Sequence, residues 1–441
     1  MGVFTSIPAF VNAHTHSPFG PQFNGVLAAQ PFESFMVDSS ARYYAPTDAS
    51  ETAAFALVTG LENLLAGNTA LVDQCFVPLN EEHLFAITRA YEDLRLKAWV
   101  FTELSDLPFA AYTREAYPRY PRAVPIRELP PELQAMCEAP PDYRDQLNQV
   151  SALIRKWRGK RVRIGLGLSN PVWCSDGLIR GAAALARELE VPITFHAEES
   201  PVQHEAHQAQ WGMSAIERAS KLGILHSRSL VNHAVQVRPQ DIAIMAEARC
   251  SVSHNPSSNL KLRNGVAPIG PMLAAGVNVC LGSDGHSSGD SQSLFPAMRL
   301  VSALAPLNGL DALPGRSEDL ALAMAVEHGR RLWFEGDFSG DRIEFSSPIG
   351  PYAHVWDDPA TKIREVYVEG EPQLARARAL VSESGAPEVV EAWMASLADP
   401  DCAARAEALA TALATALATA LAKALAKGLA GAGINESKKP S

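Results

Sequence analysis

From the first residues to about Phe334 the chain alternates short β-branched, apolar runs with longer segments whose apolar positions recur three and four residues apart. The short runs Ile7–Asn12, Ala70–Asp73, Ala98–Glu103, Arg163–Leu168, Pro192–His196, Ser229–His233, Cys250–His254 and Asn278–Asp284 read as strands. Between them Thr52–Leu65, Glu82–Leu94, Gly177–Glu188, Ser214–Leu222 and Pro239–Ala246 carry helical spacing. Strands alternating with helices imply βαβ units and a parallel sheet. Eight such strands predict a closed α/β fold, a (β/α)8 TIM-type barrel, over an open sheet.

Three stretches break the rhythm. Residues 104–145 are rich in proline, with several Tyr and Arg and no clean period. A long insertion after the third strand should sit at the C-terminal face of the barrel, where loops serve function. Residues 336–380 turn β-like again, in runs such as DRIEF and IREVYVEG. In the tail, leucines 409, 413, 417, 421, 425 and 429 recur every fourth residue, so on a 3.6-residue helix they drift slowly around the axis. The expected organisation is a barrel over 1–335, a reduced appended β subdomain over 336–380 and an Ala/Leu-rich helical tail over 381–441. That tail could pack on the barrel or on a second copy, which suggests a homo-oligomer, or form a low-complexity helix with fraying ends.

Charge and composition narrow the partners. Lys and Arg total 38 against 49 Asp and Glu, a formal net charge of −11, and no basic block is present. That balance argues against nucleic acid and leaves a small-molecule substrate. No basic n-region precedes an apolar run at the N-terminus, and no long uniformly apolar stretch predicts a membrane span. The six cysteines are scattered without close pairs, as free thiols in a reducing compartment would be. A soluble cytoplasmic protein is the expectation.

The chemistry lies where His and acidic residues fall. His14 and His16 leave the first strand two residues apart and so share a face. His196 closes the fifth strand, His233 the sixth and Asp284 the eighth. Barrel strand ends converge on one mouth, where imidazoles and a carboxylate suit zinc or ferrous iron. Singly, each has an ordinary reading as a satisfied polar residue or, within GSDG, a turn aspartate. Their joint placement carries the inference.

The segments VNAHTHSPFG, FHAEES, VNHAVQV, SHNPSSNLKL and LGSDGHSS together resemble the metal-site motifs of the amidohydrolase superfamily over roughly residues 5–335. They are most similar to the mononuclear branch that includes cytosine, S-adenosylhomocysteine and guanine deaminases and the triazine hydrolases. The resemblance assigns His14, His16, His196 and Asp284 to one divalent ion, Zn2+ or alternatively Fe2+. It makes Glu199 the general acid/base, His233 a hydrogen-bond partner of the attacking water or the substrate, and Asp284 a base as well as a ligand. Where two-metal members carry a lysine after the fourth strand, this chain reads GLGLSNPVW, which implies a single ion. Glu198 neighbours Glu199, but adjacent residues point in different directions and the His-x-x-Glu spacing selects Glu199.

The pattern also departs from the family. Only 13 residues precede His14, so at least the N-terminal half of the usual strand sandwich should be missing. Adenosine-type deaminases have a substrate-contacting histidine where this chain has Ser169 in SNPVWCS. The segment FESFMVDSSARYYAP offers no match to the family's substrate-binding acid. Candidate substrate contacts are Ser169, Trp173, His286 and Ser287, with Ser288 beside them. His204, His207 and His226 read as surface residues, and His254 as ordering the loop after the seventh strand. The expected function is therefore metal-dependent hydrolysis of a C–N bond, most plainly deamination of a small nitrogen heterocycle. The alternatives are a triazine-type or cyclic-amide hydrolase and, from another class, a catalytically silent barrel serving as a scaffold or binding subunit.

Overall fold

The computed structural model describes residues 4–17, 28–42, 49–108, 113–129, 134, 141–334, 336–350, 352–356 and 359–374. The expected tail helix lies outside the described residues, as do parts of the proline-rich insertion. Eight parallel strands follow one another around a barrel: β2 (Phe10–Thr15), β3 (Asn68–Cys75), β4 (Lys97–Leu104), β5 (Val162–Leu168), β6 (Ile193–Ala197), β7 (Ser229–His233), β8 (Ser251–His254) and β9 (Asn278–Leu281). Nearly every residue of these strands is buried, since the lumen fills one face and helices cover the other. The helices present matching stripes. Helix Asp176–Leu189 buries Leu178, Ile179, Ala182, Ala183 and Ala186 and starts on Ser175, whose hydroxyl accepts from the Leu178 N–H. Helix Ala215–Leu222 opens on a capping box formed by Ser214 and Glu217 and stops at Gly223, φ 85°.

Closure between first and last strands is largely polar. Asn12 Nδ2 donates to Asn63 Oδ1 (3.0 Å) and Ser283 Oγ (2.8 Å), and Asn12 Oδ1 accepts from the Ser283 N–H at 3.0 Å. The Asp284 N–H donates to the His14 carbonyl at 2.9 Å, so the seam also fixes two candidate ligands to each other.

The expected first strand, Ile7–Asn12, is in fact two strands. β1 (Phe4–Pro8) leaves the barrel and pairs antiparallel with β10 (Arg342–Ile349). Pro8 has no N–H to extend a ladder, and the Ala9 N–H turns to the Asp341 carbonyl, so the chain changes sheets there. β11 (Ile363–Val368) and β12 (Glu371–Pro372) complete a four-stranded sheet in the order β1-β10-β11-β12. One N-terminal strand thus joins an otherwise C-terminal sheet.

This sheet meets the barrel near the strand starts, away from the mouth. Lys97, which begins β4, donates to both Asp341 oxygens (2.9 and 3.1 Å) with both side chains fully buried, and its Nζ lies 4.6 Å from the Phe338 ring centre. Removing one partner of such a pair strands a buried charge, at a cost of about 3–5 kcal/mol. Lys97→Met should lower the urea midpoint accordingly, and adding Asp341→Leu should recover much of the loss. Equal midpoints for Lys97→Met and the parent would mean the pair contributes nothing.

Candidate metal centre

The C-terminal ends of the strands bring together the residues that the sequence singled out. His14 and His16 leave the end of β2, His196 is the penultimate residue of β6 and His233 ends β7. Asp284 lies three residues beyond β9 rather than closing it, and Gly282 between them lets the chain pass close to the neighbouring strand ends. A Cβ there would stand 2.3 Å from Asn255 Oδ1 and 2.8 Å from His14 Cβ. Asp284 and His233 both adopt left-handed backbone, φ 64° and 72°, as does Glu198 at 52°. Non-glycine residues seldom occupy that region, and their clustering at one mouth is typical of sites that store strain.

The hydrogen bonds around the histidines decide which nitrogen is free. His16 Nδ1 faces the Gln74 carbonyl at 2.6 Å and His196 Nδ1 the Ser169 carbonyl at 2.8 Å. A carbonyl only accepts, so each Nδ1 carries the proton and each Nε2 keeps its lone pair. Those two Nε2 atoms stand 3.3 Å apart, with His16 Nε2 also 3.4 Å from Asp284 Oδ1. His14 packs edge-on against both rings, its Nε2 3.9 Å from the same oxygen, and neither of its ring nitrogens makes a hydrogen bond. Lone pairs and a carboxylate facing one another call for a cation among them. Three overlapping donor groups fit that need: His14, His196 and His233; His14, His16 and Asp284; His16, Glu103 and His196.

Electrostatics agree with neutral imidazoles. Burial, reinforced by the neighbouring histidines, holds His14 and His196 well below the ordinary histidine range. Burial alone would raise Asp284, but electrostatic interaction with the adjoining His16 and His233 and nearby hydrogen bonds hold it low. A neutral histidine and an ionised carboxylate are the forms that bind a metal ion.

Glu199 lines the cavity beside this cluster. Its Oε1 accepts from Asn264 Nδ2 (3.3 Å) and lies 3.7 Å from His233 Nε2, while Oε2 accepts from Gln203 Nε2 at 3.4 Å. Burial, with the Asp284 charge adding, pushes Glu199 well above the usual carboxylate range, as suits a group that must hold a proton for part of a reaction. His233 is oriented by Asn259 Oδ1, 2.8 Å from its Nδ1, which brings the helix Pro256–Lys261 after β8 into the site. Glu198 points elsewhere, accepting from the Ala215 N–H at 2.7 Å and pairing with His204.

The cavity encloses about 380 Å³. Phe32, Phe35, Phe76 and Trp173 supply flat apolar walls, and Ser169, Ser287 and Ser288 also line it. The insertion reaches this mouth through Tyr117, whose hydroxyl donates to the Val172 carbonyl at 2.7 Å. Two expectations need correcting. His286 does not line the cavity; fully buried, it turns to Glu62 instead, because its ring leaves the short turn toward the helix 49–65. His207 is a buried rather than a surface residue, with Nδ1 2.9 Å from the Met213 carbonyl and its ring against Trp211.

Two residues escaped the sequence reading. Gln74, on β3, lies under the cluster: its carbonyl holds His16, its Nε2 donates to Glu103 and to the Leu168 carbonyl (2.9 Å each), and its Oε1 accepts from Asn232. Glu103 lines the cavity one residue before the end of β4, outside every family motif. Its place at a barrel strand's C-terminal end was the available signal.

Comparison with known proteins points the same way. The model described as "Amidohydrolase family" matches residues 5–331. A 5'-deoxyadenosine deaminase of Methanothermobacter thermautotrophicus is 28% identical over 331 residues, 74% of this chain and 68% of that protein. Among solved structures, a triazine hydrolase from Arthrobacter aurescens superposes with a TM-score of 0.69 at 19% identity, covering 86% of this chain and 87% of that one. A zinc-bound adenosine deaminase from Xanthomonas campestris gives 0.66 at 20% identity, over 85% and 84%. At those identities the structural likeness speaks for the fold.

Proposed function

The chain belongs to the amidohydrolase family and is a metal-dependent hydrolase of C–N bonds; from that premise we propose that it deaminates a compact, planar nitrogen heterocycle, using one divalent ion held by His14, His16, His196 and Asp284. The observation that carries the ligand set is His14, buried with both ring nitrogens unsatisfied beside two inward-facing Nε2 lone pairs. Three imidazoles and one carboxylate favour zinc, and the zinc-bound neighbour is consistent with that choice.

Held by these residues, a divalent ion would supply an activated water, its pKa lowered from about 16 toward 7. Asp284 and the Nε2 of His233 would orient that water toward an sp² ring carbon. Glu199 would take one of its protons as the new C–O bond forms and pass it to the ring nitrogen of the attacked C=N bond. Asp284, acting as base, would take the second proton from the new hydroxyl and pass it to the exocyclic nitrogen, so that the C–N bond breaks, ammonia leaves and the ring carbon becomes a carbonyl. The aromatic walls hold the ring flat across the mouth.

The M. thermautotrophicus relative favours an adenosine derivative as a second reading. Against it stands Ser169, a short neutral hydroxyl where that class of enzyme has a histidine. A triazine-type hydrolase would use the same centre and differ in its leaving group. Buried free thiols at Cys75, Cys174, Cys250 and Cys280 support a cytoplasmic setting, and among the described residues no helix is long and apolar enough to cross a membrane. Assembly into a homo-oligomer is proposed from the tail sequence alone.

Ammonia release by zinc-loaded protein across pterins, purines, pyrimidines and aminotriazines tests the reading. We expect turnover of at least one free heterocycle and weak turnover of S-adenosylhomocysteine or methylthioadenosine. Efficient turnover of those two alone would install the adenosine reading instead.

A further inference from the structure

β3 grips the segment that carries His14 and His16 at a point just beyond the two imidazoles. Ser17 follows His16 directly, is fully buried, and has each of its polar groups held by residues 73–76. Its N–H donates to Asp73 Oδ1 at 2.8 Å, its hydroxyl donates to Asp73 Oδ2, and its carbonyl accepts from the Phe76 N–H at 3.2 Å. Between these contacts the Gln74 carbonyl takes His16 Nδ1. From the opposite side Tyr91, on the helix Glu81–Asp93, donates to Asp73 Oδ2 at 2.8 Å.

Alternation along β3 sends the Asp73 side chain toward that helix, whereas Gln74 faces the lumen. Asp73 does not line the cavity, so it touches neither substrate nor ion. Burial raises its carboxyl from the usual range, and the hydrogen bonds from Ser17 and Tyr91 oppose that. An apolar side chain would pack strand against helix without the desolvation cost. What the carboxyl adds is direction. The Ser17 N–H belongs to the rigid peptide plane that leaves His16, so holding it fixes the ψ angle of His16. With Nδ1 on the Gln74 carbonyl, the ring is then set at both ends.

We propose that Asp73 is a positioning residue for the metal centre: by holding Ser17 at two points it locks the backbone after His16, so that His16 presents Nε2 toward His196 and Asp284 before an ion arrives. The inference rests on the proposed ligand set and adds a residue that acts through the chain rather than through a ligand ring. Partners outside the ligand shell commonly set metal affinity by fixing ligand orientation.

The test measures zinc affinity by competition with a chromophoric chelator, alongside the Tm of the metal-free protein. Asp73→Ala should bind zinc about 10- to 100-fold more weakly than the parent, the usual range for a residue that orients a ligand. Asp73→Asn should stay close to the parent, because Oδ1 still takes the Ser17 N–H and both hydroxyls can turn to accept from Nδ2. Tyr91→Phe removes a bond to Asp73 but none to Ser17, so it should lower the Tm and leave zinc affinity unchanged. Should Asp73→Ala not fold, Ser17→Ala deletes one of the two bonds and should show a smaller loss in the same direction. Parent affinity in Asp73→Ala, or in Ser17→Ala where the first does not fold, overturns the proposal. So does an Asn variant as weak as Ala, which would make charge the cause, or an equal loss in Tyr91→Phe, which would make it fold stability. NMR of metal-free protein with labelled histidine separates this inference from the ligand set. The His16 Nδ1–H resonance, identified by its absence from His16→Ala, should be present in the parent and lost to water exchange in Asp73→Ala or Ser17→Ala. If the parent binds no zinc yet that resonance is lost, the ligand set fails and the Asp73 clamp stands. A resonance unchanged in these variants overturns the clamp whatever the zinc affinity.

Discussion

Replacing Glu199 by Gln should abolish turnover while leaving the metal in place. Gln preserves size and can still face Asn264 and Gln203, but it cannot take a proton from water or deliver one to a leaving nitrogen. A general acid–base group contributes about 10²–10⁴-fold, and one that serves both the attack and the departure belongs near the top of that range. Because Glu199 lies outside the proposed ligand set, zinc per chain should match the parent. Glu198→Gln is the matched control. Its carboxylate is spent on the Ala215 N–H and His204 and does not line the cavity, so the rate should fall little. Near-normal rates for Glu199→Gln with a dead Glu198→Gln would show that the wrong glutamate has been given the proton.

The second large effect concerns the ion itself. Parent protein purified without chelator should hold one divalent ion per chain, and His14→Ala should hold almost none and lose all measurable activity. His14 belongs to two of the three overlapping donor groups, and its unsatisfied nitrogens make it the residue with least reason to be there in the absence of metal. Binding to the native state alone also stabilises the fold, by about 2.7 kcal/mol when free metal is 100 times its Kd. A chelator should therefore lower the Tm of the parent and leave that of His14→Ala unmoved. Two ions per chain, or full occupancy in the variant, would refute the mononuclear assignment.

What could be read in advance follows from where information is local. The barrel was legible because each strand is buried on both faces and each helix carries its own apolar stripe, patterns written within ten or fifteen residues. His14, His16, His196, Glu199, His233 and Asp284 were legible because strand ends of a barrel share a mouth and the motifs around them are specific. Glu103 and Gln74 were not, since their importance comes from what lies across the lumen, Asn232 and Leu168 for one and the cavity for the other. The split at Pro8 and Ala9 depended on a pairing with β10 far along the chain. His286 resembled a mouth residue by sequence position, and only the packing of the helix 49–65 revealed its partner in Glu62.

The seam that closes the barrel has a consequence for the protein during its synthesis. Asn12 and Ser283, which clasp each other beside the proposed ligands, are 271 positions apart, so the two halves of the centre leave the ribosome far apart in time. At a translation rate of about 5–20 residues per second that interval is roughly 15–55 s. Throughout it the nascent chain offers His14 and His16 without Asp284, a pair of imidazoles open to any soft metal ion nearby. The resident ion can be captured with its full ligand set only once β9 has docked, so metal loading should report completion of the fold rather than precede it.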